Sequence, residues 1–319
     1  MSKTVKEIHE KRSILYNTSI DNHKKYINQD TGLFQSEFVE YRKCPVCGNS
    51  NDSKVFEKEG GIYVKCEDCT MVYLNPVFTD DALTDYYTNN HALQSEIVEN
   101  DQEFYLSIYN KGLDCIEKEN TNKKKILDIG CSSGVFLDLA KKNEWQTFGV
   151  ELNQKEAEFA LQKGHNIYNK LLEDIAFDIK FDTITMWDVF EHLKDGEYYL
   201  NLMKNLLTKK GNIFLQIPTS DSLAAKILRE KCNMYDGLEH VNLYGVETIK
   251  KLANKCGLEV LSIQTVISEI GVINNYLNYD EPYLGSTLNR TYIPNLVNEE
   301  VLHANLQGYK IQVVLGVID

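Results

Sequence analysis

Four cysteines stand in two C-x2-C pairs, Cys44 and Cys47 in CPVC and Cys66 and Cys69 in CEDC, with eighteen residues between the pairs. Each C-x2-C turn aims two thiolates at one centre, and two such turns complete a tetrahedron around Zn²⁺. Gly48 suits the tight turn after the first pair. Four thiolates leave no open coordination position, so such a metal is structural rather than catalytic. Of the remaining cysteines, Cys115, Cys232 and Cys256 read as small hydrophobes. Cys131 lies in a second motif, Asp128-Ile129-Gly130-Cys131-Ser132-Ser133-Gly134. A glycine-bearing turn between a strand and a helix brings a ligand close to the backbone at a sheet's switch point. Glu151 ends the next apolar run, 23 residues after Asp128, where an acid takes the hydroxyls of a ribose. A dinucleotide loop would read G-x-G-x-x-G with pyrophosphate on the helix N-terminus. Here an acid precedes the glycines, which suits an amino group or a sulfonium cation better than a pyrophosphate. Further on, His192 and the pair Glu239-His240 are candidates for proton transfer at neutral pH. His192 reads either as a base or as a residue packed on the cofactor. Glu239 either orients His240 or forms a surface pair with it. Asp188 is a candidate for the cofactor's amine or the substrate, or else a helix cap. Trp187 reads as core.

Positioning these residues requires an alternation of short apolar runs and helical stretches. Strands are expected at 125–130, 147–152, 181–188, 212–218, 258–267 and 309–318, and helices at 135–143, 154–164, 196–207 and 246–257. That alternation implies a parallel α/β sheet with helices on both faces. In the cysteine module, Val55-Phe56 and Ile62-Tyr63-Val64 read as two short strands turned by Gly60-Gly61. The chain divides into a lead-in segment 1–40, a zinc ribbon 41–78, a helical connector 79–120, and an α/β domain 121–319 with an insertion 268–308. The insertion is too long for a plain loop, so helices are expected in it, for example around 296–306. The connector is acidic and carries Tyr86, Tyr87, Phe104, Tyr105 and Tyr109, the pattern of a helical segment with one packed face.

The 319 residues carry 34 basic and 47 acidic side chains, a formal charge of -13. With 43% hydrophobic residues the chain can form a core, which excludes general disorder. The charge argues against a nucleic-acid partner. No apolar run reaches the roughly 18 residues of a membrane span, and the N-terminus lacks a secretory h-region, so a cytoplasmic protein is expected. Lys226, Arg229 and Lys231 are the candidate basic patch for an anionic substrate. The ribbon and the 268–308 insertion are each candidates for the substrate wall or for the contact of a homodimer.

ILDIGCSSG resembles motif I of the class I S-adenosylmethionine-dependent methyltransferases, and GVEL with Glu151 is similar to their ribose-binding acid. LLEDI, with Asp174, resembles the segment that contacts the adenine amino group, and MWDVFEHL resembles the strand-four motif of the branch that methylates small molecules. The resemblance covers about 120–265. It implies a Rossmann-like seven-stranded fold, with cofactor contacts from Asp128, Gly130, Cys131, Ser132, Gly134, Glu151, Asp174 and Asp188. CPVCG, CEDC, VYLNP and DDALTDYY ahead of such a domain resemble zinc-ribbon methyltransferases of bacterial sugar, surface-polysaccharide and natural-product pathways. That likeness implies a substrate site lined by Tyr86 or Tyr87, His192, and Glu239-His240, and a small-molecule acceptor such as a sugar, a nucleotide-linked sugar or a capsule-type phosphoryl substituent. Gly237 stands where the sugar C-methyltransferases of this group tend to have a tyrosine. The alternatives are an RNA or nucleobase methyltransferase and a non-catalytic cofactor-binding scaffold. The charge and the absence of a [DN]-P-P-[FY] motif after strand four weigh against the first. The intact Asp128, Gly130, Gly134 and Glu151 weigh against the second.

Overall fold

The structure, a computed structural model, describes residues 21–89, 102–120, 124–270, 273 and 298–318, with backbone only for 87–89. Residues 1–20 of the lead-in segment, most of the 268–308 insertion and the side chain of Tyr87 lie outside the described residues.

The N-terminal module contains β1 (Val39–Glu40), β2 (Asp52–Lys58), β3 (Gly61–Cys66), β4 (Val72–Leu74) and β5 (Val77–Phe78), followed by α1 (Asp80–Asn89). The hairpin strands are longer than the sequence suggested. Their turn is Glu59-Gly60, both at positive φ, rather than Gly60-Gly61. Two successive left-handed residues match the right-handed twist of the flanking strands, and Gly61 already pairs with Lys58 inside the sheet.

After α2 (Gln102–Glu119), the chain runs β6 (Lys125–Ile129), α3 (Val135–Lys142), β7 (Gln146–Val150), α4 (Gln154–Gln162), β8 (Asn166–Tyr168) and β9 (Phe181–Trp187). It continues through α5 (Gly196–Leu206), β10 (Leu207–Pro218), α6 (Leu223–Leu228), β11 (Asn242–Leu243), α7 (Val246–Lys255), β12 (Leu258–Val266), α8 (Glu299–Ala304) and β13 (Lys310–Val317). Seven strands form one sheet in the order β12-β13-β10-β9-β6-β7-β8. The sheet is mixed rather than parallel, because β13 runs antiparallel to both β10 and β12. Apolar periodicity fixes which residues are buried but not strand direction, so this reversal left no mark in the sequence. The three-residue β8 was too short to read from pattern, whereas α8 falls within the helical stretch expected around 296–306. No helix among the described residues is long and apolar enough to cross a membrane.

The alternation along β6 and β10 sorts the core into two layers. Leu127, Ile129, Ile213, Leu215 and Ile217 pack on one face with Phe190 and Tyr244. Ile126, Phe214, Phe136 and Trp187 pack on the other, under α2 and α3. Trp187 is core, as its type suggested. Gly112 lets α2 lie directly on it, since a Cβ there would fall 2.3 Å from the indole. The chain leaves β6 toward β7 and β8, then returns to place β9 on the other side of β6. The carboxyl ends of β6 and β9 are therefore the switch point, where open α/β sheets bind ligands.

Candidate active site and its metal centre

The turn after β6 is pinned to β7 by two bonds, from the Gly130 and Cys131 N–H groups to the Val150 carbonyl at 2.8 and 3.1 Å. Gly130 takes φ +75, and a Cβ there would meet Val189 at 2.5 Å. Only glycine satisfies both conditions. Gly134 is likewise left-handed and opens α3. Cys131 turns its thiol into the core, in the space left by Gly149. Glu151 accepts the Ser132 N–H at 2.8 Å and the Asn153 N–H at 2.7 Å, so it braces the loop from the neighbouring strand. Ser132 donates its hydroxyl to the buried Glu156 at 3.0 Å. Asp128 is buried and accepts the Thr185 hydroxyl at 2.6 Å. Burial pushes its carboxyl up to about 8; the Thr185 bond opposes the shift and Glu151 adds to it. Asp174 is exposed on a short 3-10 turn after β8.

Asp188 follows β9 at φ +55. It does not cap the next turn. Its Oδ2 accepts from Lys310 Nζ at 2.6 Å and Gln216 Nε2 at 3.1 Å, and its Oδ1 is buried without a hydrogen-bond partner among the described residues. Lys310 escaped the sequence reading because it reaches this edge only through the antiparallel register that sets it opposite Pro218. Tyr109 of α2 packs edge-on against Trp187 at 4.8 Å. Its phenol is held well above the usual range by burial and by Asp128 and Asp188.

A second group sits at the same edge. Phe190–His192 form a 3-10 turn, and Glu191 within it is fully buried with both carboxylate oxygens unpartnered among the described residues. His192 Nε2 lies 4.0 Å and His240 Nε2 3.9 Å from Glu191 Oε1, and the two rings meet edge-to-face at 4.9 Å. The structure thus brings together two histidines 48 positions apart in sequence. His240 Nδ1 lies 2.7 Å from the Met234 carbonyl. A carbonyl can only accept, so Nδ1 carries a proton and donates it there, leaving Nε2 toward Glu191. Burial lowers the His192 imidazole to about 4, aided by the neighbouring His240 and opposed by Asp236. Burial also works against charge on His240, but Asp236 and Glu191 outweigh it and raise the ring above its ordinary value.

Glu239 does not orient His240. Its carboxylate turns the other way and accepts the Tyr86 hydroxyl at 2.5 Å. Burial, then Asp236, raises the Glu239 carboxyl. The residue that shapes this loop is Asp236, which the sequence reading missed. Its Oδ1 accepts the N–H groups of Leu238, Glu239 and His240 at 2.9, 2.9 and 3.1 Å. An Asp followed by Gly-Leu-Glu-His was the available signal, since Asp side chains fold back on nearby backbone N–H groups. His23, His165 and His303 have partners elsewhere: His23 packs on Tyr86, His165 bonds Thr147 and Asp138, and His303 bonds Thr265.

The cysteine module braces the same loop. The Tyr63 hydroxyl accepts the Gly237 N–H at 3.3 Å and donates to the His240 carbonyl at 3.1 Å. A Cβ on Gly61 would fall 2.1 Å from the Gly237 oxygen, and one on Gly237 would fall 2.1 Å from the Lys58 oxygen. The Gly237 position therefore has no room for a tyrosine. The Arg42 guanidinium donates to the carbonyls of Leu74, Lys194 and Val241 and to Asn242. β11 adds itself to β4 as the edge of the four-stranded sheet β11-β4-β3-β2.

The cysteine sulfurs all lie within 4.8 Å of one another, with Cys44–Cys69 at 3.4 Å and Cys47–Cys66 at 3.5 Å. A tetrahedron with Zn–S bonds of about 2.3 Å has edges of about 3.8 Å, so the donor set fits. The two turns are built alike. The Gly48 N–H bonds the Cys44 carbonyl and the Thr70 N–H bonds the Cys66 carbonyl, each at 2.9 Å and each from a left-handed residue. Lys226, Arg229 and Lys231 are exposed on α6 and the turn after it.

Residues 99–263, just over half of the chain, match the family model described as a methyltransferase domain. The chain belongs to this methyltransferase family. The match spans the strand ends that carry Asp128, Glu151, Asp188 and the two histidines, and the domain is of the class I S-adenosylmethionine-dependent kind. Among curated relatives, the ubiquinone biosynthesis O-methyltransferase of Pelagibacter ubique is 29% identical over 99 residues, covering 28% of this chain and 40% of that protein. The corresponding protein of Chromobacterium violaceum is 28% identical over 99 residues, covering 28% and 43%. This chain therefore spans less than half the length of either. Among solved structures, the plantazolicin methyltransferase BpumL with SAH superposes with a TM-score of 0.49 at 15% identity, over 74% of this chain and 91% of that one. For a methyltransferase domain the residues fit the cofactor: acids at Asp128 and Glu151, a left-handed glycine turn at Gly130, and buried polar atoms at Asp188 Oδ1 and Ser133 Oγ without hydrogen-bond partners among the described residues.

Proposed function

We propose that this protein is an S-adenosylmethionine-dependent enzyme that methylates an oxygen or nitrogen of a small molecule, with a structural zinc in its cysteine module. From the likeness of its cysteine module and strand-four motif to zinc-ribbon methyltransferases, we take the acceptor to be a sugar, a nucleotide-linked sugar or a capsule-type phosphoryl substituent. The observation that carries this reading is the convergence of Glu191, His192 and His240 on the sheet edge where the Asp128–Gly134 turn forms the cofactor cleft. The cofactor, when bound, supplies an activated methyl group on a sulfonium. Asp128, Gly130, Ser132, Gly134, Glu151, Asp174 and Asp188 hold and orient it, and Cys131 contributes backbone only.

The protein's own chemistry is then to hold the acceptor in line and remove its proton. His240 is the base: its Nδ1–H is fixed on Met234, its Nε2 lone pair is free, and its raised pKa brings it nearer the operating pH. His192, with its pKa pushed down to about 4, is neutral at pH 7 and accepts a hydrogen bond from the acceptor without competing for the proton. Glu239 and Tyr86 form the wall behind them. The net charge of -13 supports a small molecule over a nucleic acid. The exposed Lys226, Arg229 and Lys231 supply the charge an anionic sugar nucleotide needs.

Calorimetry with S-adenosylhomocysteine tests the cofactor reading, and a protein without measurable affinity would sink it. Transfer of labelled methyl groups to a panel of free and nucleotide-linked sugars tests the acceptor. In that assay His240→Ala should abolish transfer while cofactor affinity stays at the wild-type level; undiminished transfer would remove His240 from the mechanism. Cys44→Ser should lose the zinc, read by elemental analysis, and a metal-replete variant would refute the four-thiolate site.

A further inference from the structure

The Glu191 carboxyl group is fully buried and has no hydrogen-bond partner among the described residues, which is costly for a group of this kind and calls for a ligand. Both histidine Nε2 atoms face one of its oxygens, at 3.9 and 4.0 Å, too far for a direct hydrogen bond. We propose that Glu191, His192 and His240 form a second cation site, separate from the four cysteines, that takes a borderline-soft divalent ion such as Zn²⁺ or Co²⁺ in competition with the acceptor. This extends the proposed function, since it rests on the same histidines serving the acceptor.

One carboxylate and two imidazoles are a donor set that favours first-row transition ions over Mg²⁺ or Ca²⁺. The Met234 carbonyl on His240 Nδ1 is the outer partner that fixes a metal-binding imidazole in the required tautomer. Ligand atoms around one ion with bonds of about 2.1 Å stand roughly 3.0–3.4 Å apart. The two Glu191–histidine separations must therefore close by about 0.5–1 Å, and all three ligand atoms already lie within 4.8 Å of one another. The rings can make that move, because the His192 and His240 side chains are 24% and 23% exposed. That exposure also leaves the ion an open side toward the acceptor. An ion held there occupies the Nε2 lone pair that would take the acceptor's proton, so it inhibits rather than assists.

The test is a Co²⁺ titration of the full chain with zinc already in the cysteine site, followed by visible spectroscopy and elemental analysis. The wild type should take up one cobalt per chain with d–d absorption and without thiolate charge-transfer bands, while retaining its zinc. Glu191→Gln and His192→Ala should each lose that cobalt but keep the zinc and the affinity for S-adenosylhomocysteine. Cobalt uptake only by exchange for zinc, or uptake by both variants as in the wild type, would overturn the proposal. In the transfer assay Co²⁺ should inhibit competitively against the acceptor, and full turnover with the site loaded would refute the overlap. Failure of the proposed function would show instead as absent S-adenosylhomocysteine binding, which the cobalt titration does not read.

Discussion

Gly61→Ala tests whether the cysteine module sets the geometry of the acceptor loop. Gly61 has no left-handed requirement, so alanine brings no backbone penalty and the change is purely steric. The added Cβ would lie 2.1 Å from the Gly237 oxygen, whereas ordinary contacts begin at 3.4 Å. Backbone faces backbone, so neither side can rotate away, and the hairpin and the loop must part by about 1 Å. Overpacking of this kind costs about 1–3 kcal/mol. If the strain falls on the loop, it opens roughly 5- to 150-fold more often. Hydrogen exchange reads this at the amides of Leu238, Glu239 and His240, which the Asp236 carboxylate protects. Because His240 moves with the loop, a displacement near 1 Å should also cost about 100-fold in turnover. Cofactor affinity should not change, since the Asp128–Gly134 turn lies on the strands and not on this loop. Wild-type exchange and turnover in a variant that retains its zinc would refute the argument that the module braces the site.

Two further outcomes follow from buried charges. Asp128 titrates near 8 in the folded protein, above the roughly 3.9 of an unfolded aspartate, so the folded state binds the extra proton between those values. Its contribution is full below about pH 4 and is lost as pH rises through 8. Asp128→Asn removes that loss, so the cofactor-free variant should gain melting temperature over wild type from about pH 5 to about pH 8.5, while binding the cofactor more weakly; a constant difference between the two melting curves would refute the linkage. Arg42→Lys leaves the carbonyls of Leu74, Lys194 and Val241 short of donors that one ammonium cannot replace, and should cost about 2–4 kcal/mol. A thermal melt should register this as a fall of roughly 3–6 °C, and a loss below about 1 °C would show that the guanidinium contacts carry no net stability.

The turn proposed to hold the cofactor was legible as a structural unit because it is local. Asp128, Gly130, Gly134 and Glu151 lie within one β-turn-α-β unit, where spacing alone fixes their relation. The four cysteines were legible for the same reason, as each pair lies in a single turn. The acceptor half was legible only as a set of residue types. His192 and His240 stood out as histidines, but nothing in the sequence sets them 4.9 Å apart or leaves Glu191 buried between them. The role assigned to Glu239 failed because adjacency in sequence does not set where side chains point in a bent loop, and here Glu239 bonds Tyr86 rather than the imidazole. Lys310 and Asp236 were missed because one depends on an antiparallel register and the other on a side chain folding back onto its own loop.

The same division bears on how the two halves specialise. The cofactor turn is held by bonds within its own sheet, from Val150, Glu151 and Thr185. The acceptor loop is held from outside that sheet, by Tyr63, Gly61 and Arg42 of the cysteine module and by Tyr86 of α1. β11 completes the dependence, since a strand from beyond β10 pairs into the module's sheet. A metal held by the four cysteines would therefore have a mechanical path to His240 through β3, by way of Cys66 and the Tyr63 hydroxyl. Changes in the module should alter which acceptor is held and how well its proton is removed, while the cofactor remains bound as before.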